Sequence, residues 1–231
     1  MRSISPRLRA LRAAFPHTIP VLTGYLVLGL AYGILMSTRG YGALWSTLMS
    51  AIAFCGSMQY AAITLLTTVF DPLQAFFLSL MVNARHLFYG VSMLKKYAGL
   101  GALRPLLIWW LTDETFSVLC TVDVPEGVER GPFYFWVSFL NYLYWVGGTL
   151  IGGLFGSLIT FNTTGVDFAL TALFVVLFIE QLKGKTQRIS GVIGLACTVI
   201  ALAVFGADRM VIAAMVLILI CLLAGRRKLC S

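Results

Sequence analysis

Apolar residues gather into eight runs separated by short polar breaks: Ile19–Ser37, Ala43–Val69, Leu73–Leu94, Leu100–Val122, Phe133–Ile159, Val166–Leu182, Ile189–Phe205 and Met210–Ala224. The breaks carry turn or charge signals: Arg39-Gly40, Asp71-Pro72, Lys95-Lys96, Pro125-Glu126-Gly127, Asn162 to Gly165, Lys183 to Arg188, and Asp208-Arg209. Most runs approach or exceed the roughly 20 residues that a helix needs to cross hydrocarbon. Backbone polar groups in lipid must be satisfied internally, so such runs are read as helices. Barrel strands would show polar–apolar alternation, and none appears. The pattern predicts an all-α, polytopic membrane helix bundle of seven or eight segments. One integral-membrane domain is expected over residues 1–231, with 1–18 as a basic cytoplasmic arm.

Composition strengthens this reading. Hydrophobic residues make up 59% of 231 positions and charged residues 11%, with mean hydropathy +0.91. A soluble domain carries about a quarter charged residues because its surface faces water. The formal charge of +8 sits at segment ends, where it orients helices and meets anionic lipid, so nucleic acid is not an expected partner. Cys55, Cys120, Cys197, Cys221 and Cys230 show no metal-ligand spacing, and no metal or cofactor is expected. Arg2, Arg7, Arg9 and Arg12 precede the first run without a small-x-small cleavage site after it, so the arm is read as a retained anchor.

Orientation follows from where Lys and Arg fall. Eight crossings with the N-terminus inside place eleven Lys and Arg inside and five outside, with Arg85 within a segment. A re-entrant Ala43–Val69 would place eight on each side, so eight crossings are preferred. Lys95, Lys96 and Arg104 count against that choice and point to a hairpin or broken helix. Glycines 24, 29 and 33 in the first run echo glycines 147, 148, 152, 153 and 156 in the fifth, each followed by a run with an embedded glutamine, Gln59 or Gln181. Two related halves with broken helices would give this echo; chance similarity of glycine-rich helices would too.

Polar groups within hydrocarbon are expensive and mark function. Three clusters qualify. Cys55-Gly56-Ser57-Met58-Gln59-Tyr60 lies midway in a 27-residue run, where a break would offer backbone N–H and C=O groups to a ligand. Its alternative is a small-residue helix contact through Gly56 and Tyr60. In Asn83-Ala84-Arg85-His86, a stripe of Ser79, Asn83, His86 and Gly90 shares one helix face, with Arg85 about 100° from His86. Arg85 lies too deep for end snorkelling; a structural ion pair is the competing explanation. Asp113 and Glu114 stand mid-run in Thr112-Asp113-Glu114-Thr115, one placed to pair with Arg85 and the other to carry a proton. They could instead start a short helix after a kink at a wet end. Asn141, Tyr142, Tyr144 and Trp145 form a lesser, mostly anchoring group, with Asn141 the exception, and Glu180 with Gln181 reads as a solvated helix end.

The pieces FCGSMQYA (Phe54–Ala61), NARHLFYG (Asn83–Gly90), LTDETF (Leu111–Phe116) and NYLYWVGGTLIG (Asn141–Gly152) resemble, in order and separation, the AzlC family of branched-chain amino acid permeases. Two positions depart from it: Ala84, where a larger aliphatic residue is expected, and Met58, where a smaller one is. The resemblance implies a secondary transporter in a bacterial inner membrane that exports branched-chain amino acids, with methionine as a further candidate. It also implies a separately encoded small membrane partner of the AzlD type. Combined with the clusters, the expected substrate site is Gly56, Ser57, Gln59, Asn83, His86 and Asn141, gated or coupled to protons by Arg85, Asp113 and Glu114. A channel would need a charged ring or filter repeat. An embedded enzyme would need a motif such as HExxH or GxSxG. The sequence offers neither, so no enzyme activity is expected. A membrane channel, and a scaffold subunit with the partner carrying transport, are the rival readings.

Overall fold

A computed structural model describes residues 5–69, 71–158, 175, 179, 182, 185–206 and 210–229, and the regular structure among them is helical. The chain divides into two compact units, Met1–Asn162 and Thr163–Ser231.

Helix α1 spans Pro6–Thr38. The Ser5 hydroxyl accepts from the Leu8 N–H and Pro6 follows at the first helical position, a start signal that the arginines of the first turns do not disturb. The basic arm from residue 6 onward is thus continuous with the first apolar run.

Helix α1 packs along α7 (Arg130–Leu158), and glycine makes the approach possible. A Cβ on Gly33 would lie 2.3 Å from the Thr149 carbonyl oxygen, and one on Gly152 would lie 2.2 Å from that of Leu30. Backbones this close admit no side chain between them. Gly29 meets Gly148 and Thr149, Gly33 meets Gly152 and Gly153, and Gly156 meets Ile34 and Ser37, so the two helices run in the same direction. The glycine echo between the first and fifth runs has a physical cause in this mutual contact.

Helices α2 (Ala43–Ala53) and α3 (Gly56–Thr67) divide the second apolar run. The chain turns at Phe54, whose φ of 38° ends α2 in the left-handed region. At the base, the Tyr41 hydroxyl donates to the Leu66 carbonyl over 2.9 Å; a straight helix would separate those residues by about 38 Å. Nearer the tip, the Gln59 amide donates to the Ser50 hydroxyl over 2.8 Å. The run is a hairpin that enters from the C-terminal end of α1 and leaves at the same end.

Helix α4 (Pro72–Met93), capped by the Asp71 carboxylate, runs the length of the unit to the opposite end. There α5 (Leu103–Trp109) and α6 (Asp113–Thr121) form a second hairpin. Both ends of its run, Leu100 and Val122, pack on one cluster that holds Ala14, Met93, Tyr97, Leu119 and Phe133. Lys96 donates to the Leu119 carbonyl and Arg130 to that of Ala98. Arg9 reaches the Gly127 carbonyl.

These contacts correct the expectation of eight crossings. Ala43–Val69 and Leu100–Val122 each fold as a hairpin rather than one straight helix, the two opening at opposite ends of the unit, and α1, α4 and α7 are the helices of this unit that traverse its length. Apolar content alone cannot separate one long crossing from two half-length helices, because both bury the same residues. Lys95, Lys96 and Arg104, discordant before, now lie at the same end as Arg7, Arg9, Arg12 and Arg130.

In the second unit α8 (Lys185–Phe205) and α9 (Met210–Leu229) pack together, with Cys197 and Cys221 sulfurs 3.8 Å apart. The predicted segment Val166–Leu182, with Glu180 and Gln181, lies outside the described residues apart from Val175, Ile179 and Leu182. Among the described residues, Pro6–Thr38 and Arg188–Phe205 are both long and apolar enough to cross a membrane. Val27, Leu87, Phe88 and Leu158 are among many large apolar side chains left exposed, a surface suited to lipid rather than water.

Candidate functional site

The tips of the two hairpins meet at Arg85, which α4 carries past both. Its guanidinium Nη1 lies 2.8 Å from Asp113 Oδ2 on the second tip. Its Nη2 donates to the Ser57 hydroxyl on the first tip over 2.7 Å. Each tip begins a helix whose first N–H groups point toward the junction, and the polar residues there are what the breaks in α2–α3 and α5–α6 expose. Asp113 and Glu114 do start a short helix after a break, as one reading held. That break is the hairpin tip, set against α1 and α7.

Glu114 turns away from Arg85. Its Oε2 accepts from the Tyr25 hydroxyl of α1 over 2.6 Å, and that hydroxyl also lies 2.7 Å from Thr112 Oγ1. The two acids therefore differ in partner, one facing a cation and the other a neutral phenol.

Asn83 accepts from the Cys55 thiol over 2.7 Å through its Oδ1, which ties α4 to the first tip just beside Ser57. His86 keeps its Nδ1 3.2 Å from the Asn83 carbonyl and stands edge-on to Tyr89, which stacks on Phe116 of α6. On its other side Asn83 borders an open groove of about 330 Å³ along α4, lined with Phe76, Ser79, Leu80, Ala84 and Leu87.

Two predicted residues lie in separate, deeper networks. Gln59 is 1% exposed; its Oε1 accepts from the Trp145 indole over 2.8 Å, while its amide donates to Ser50, itself 2.8 Å from Thr149 Oγ1. Gly56 lies beneath the same indole, where a Cβ would come within 3.0 Å of the ring. Asn141, fully buried, donates to Thr115 of α6 over 3.0 Å, and its Oδ1 has no partner. The structure thus gathers Ser57, Arg85, Asp113 and Asn83 at one junction, with Glu114 and His86 beside it. It places Gln59 and Asn141 one layer behind, bracing the two hairpins against α7.

Tyr25, Ser50 and Thr149 were not singled out by the sequence, and Tyr142 was named there only within an anchoring group. Tyr142 touches both tips, its ring 5.1 Å from Phe54 and 5.3 Å from Trp110. A lone hydroxyl in a glycine-rich run gives little signal; the period of Tyr25 along α1 is that of any packed aromatic. Among the described residues no group of three or more His, Cys, Asp and Glu is placed to hold a metal ion.

The model of the AzlC protein family matches residues 20–159, a stretch that holds α7, both hairpins and every residue of the junction. A Bacillus subtilis (strain 168) protein described as "Branched-chain amino acid transport protein AzlC" is 49% identical over 95% of this chain and 87% of its own length. The chain belongs to the AzlC family. Other relatives include a Helicobacter pylori protein, 39% identical over 96% of this chain and 97% of its own, and one from Haemophilus influenzae, 40% identical over 90% and 86%. Both are described as uncharacterized membrane proteins. No solved structure matches the chain. In this AzlC-family chain the membrane setting explains the junction's chemistry: an arginine and an aspartate held between hairpin tips inside an apolar bundle.

Proposed function

We propose that this chain is a secondary transporter that exports branched-chain amino acids (valine, leucine and isoleucine, with methionine as a further candidate) across a bacterial inner membrane. It works by alternating access, and a small AzlD-type membrane subunit completes it. The observation that carries the proposal is the meeting of two opposed hairpin tips at Arg85. Half-helices that end near the middle of a bundle are a recurrent way to offer polar groups to a solute without exposing backbone to lipid. The name of the Bacillus subtilis relative supports the substrate class.

Gly56, Ser57, Asn83 and His86 line the substrate site in this proposal. Gln59 and Asn141 hold the tips in register from behind. Arg85 and Asp113 are the gate, and Glu114 is the proton carrier, because its described partner is an uncharged hydroxyl rather than a cation. The N-terminus is cytoplasmic: Arg7, Arg9, Arg12, Lys95, Lys96, Arg104 and Arg130 share its end of the first unit, with Arg39 at the other end. Aliphatic side chains are told apart by pocket shape, worth about 1–3 kcal/mol per methylene, so a broad preference among them is expected.

The test is efflux of valine from preloaded proteoliposomes, with and without the partner subunit. Saturable efflux that an imposed proton gradient accelerates is expected, and Arg85→Ala, Asp113→Asn and Glu114→Gln should each reduce it at least tenfold. Flux that never saturates would make the protein a channel. Efflux untouched by all three substitutions would remove these residues from the pathway.

A further inference from the structure

Arg85 and Asp113 hold each other through one atom apiece. Nη1 meets Oδ2 at 2.8 Å and Nη2 is taken by Ser57, while Arg85 Nε and Asp113 Oδ1 are buried without a partner in hydrogen-bond geometry, the Tyr89 hydroxyl being the neutral group that stands beside Asp113. A guanidinium and a carboxylate satisfied by one another pair through two parallel bonds. This pair is end-on, with bonding capacity left over on both members. The side chains are 34% and 32% exposed, so the pair can be reached although it sits between the hairpin tips.

Parting two charges in such a place is costly unless each finds a new partner. A monocarboxylate could take Arg85 but would strand Asp113. An amine could take Asp113 but would strand Arg85. A zwitterion brings both charges in one headgroup, so the pair can open without leaving either member alone. Resting on the transporter reading above, we propose that the headgroup of an α-amino acid inserts into the Arg85–Asp113 pair. The substrate carboxylate takes the guanidinium and the ammonium takes the Asp113 carboxylate. Arg85 keeps its bond to Ser57, so insertion widens the gap between the two hairpin tips. Loss of substrate lets the pair close again. Glu114, turned toward Tyr25, takes no part in holding the headgroup.

The test is competition against radiolabelled valine bound to the full chain in lipid nanodiscs. Valinamide lacks the carboxylate and 3-methylbutanoate lacks the ammonium; each is expected to compete at least tenfold more weakly than valine. Competition by either as strong as valine's overturns the insertion. The Asp113→Asn variant removes the partner of the ammonium and the rival for Arg85. In it the affinity for 3-methylbutanoate relative to valine should rise at least tenfold, and an unchanged ratio overturns the insertion. Asp113→Glu should keep the zwitterion preference, and its loss there would also count against the proposal. Failure of the unaltered protein both to bind and to export valine would sink the transporter reading. Valine binding with indifferent competitors would sink the insertion alone.

Discussion

At the first hairpin the buried amide of Gln59 uses both of its ends, one on Trp145 and one on Ser50, whereas behind the second the equally buried amide of Asn141 uses one, leaving its oxygen unmatched. The contrast extends outward. Ser50 is bonded in turn to Thr149, and Tyr142 donates to the Ala51 carbonyl. Around the second hairpin the Ser138 hydroxyl, the Trp110 indole N–H and Asp113 Oδ1 join the Asn141 oxygen as buried atoms without partners, whereas among the described residues of the first hairpin the Thr47 hydroxyl alone is so placed, away from the Gln59–Ser50–Thr149 network. A fully satisfied polar network fixes one arrangement, while unmet donors and acceptors lower the cost of leaving it. The first hairpin is therefore the fixed wall of the junction. The second, which carries Asp113 and Glu114, is the element expected to move when the pair with Arg85 opens.

Both hairpins hang on the α1–α7 glycine seam, so breaking that seam should abolish the difference by removing both. Gly152→Leu would drive a side chain into the Leu30 carbonyl, which a Cβ alone would approach to 2.2 Å. No monodisperse folded protein is expected on size-exclusion chromatography in detergent. Gly147→Leu, where a Cβ would meet nothing within 4 Å, should be recovered normally. Equal recovery of the two would show that the seam is not the support.

The sharpest comparison pairs the two amides. Gln59→Met keeps the volume but strands the Trp145 N–H, at a cost of about 2–3 kcal/mol for the lost bonds and the unmet donor. Asn141→Leu removes one bond together with an oxygen that has no partner, and Thr115 keeps its 3.0 Å contact with Thr112, so a cost below about 1 kcal/mol is expected. Thermal unfolding in detergent should show the larger fall for Gln59→Met. The reverse order would mean that the second hairpin is the better anchored of the two.

The chemistry of the junction was legible in the sequence, and its architecture was not. Arg85, Asp113 and Glu114 stood out because each is out of place in hydrocarbon, and the predicted pairing of Arg85 with one of the two acids is the one found, at Asp113. A 27-residue apolar run, by contrast, satisfies its backbone equally well as one crossing or as two half-helices. What separates them is tertiary: the turn at Phe54, the Tyr41–Leu66 bond at the base and the room that Gly56 leaves for the Trp145 ring. The misplaced positive charge of Lys95, Lys96 and Arg104, and the break read at Gly56-Ser57 midway in the 27-residue run, hinted at re-entry. Gln59 was legible as a polar residue, but its role as a brace depends on Ser50 and Thr149, single hydroxyls whose sequence context is that of ordinary helix packing.

Tyr142 spans the boundary between fixed and mobile, and gives the smallest expected effect. Its hydroxyl bonds only the first hairpin, at the Ala51 carbonyl over 3.1 Å, while its ring lies against Phe54 on one side and Trp109 and Trp110 on the other. Tyr142→Phe loses one exchangeable hydrogen bond, about 0.5–1.5 kcal/mol, and should lower the unfolding temperature slightly while leaving valine efflux within about twofold, since 1.4 kcal/mol corresponds to tenfold and the bond lies on the hairpin that stays put. If removing this hydroxyl instead slowed efflux tenfold without a matching loss of stability, the α2–α3 hairpin would have to move during transport, and the roles of the two hairpins would be exchanged.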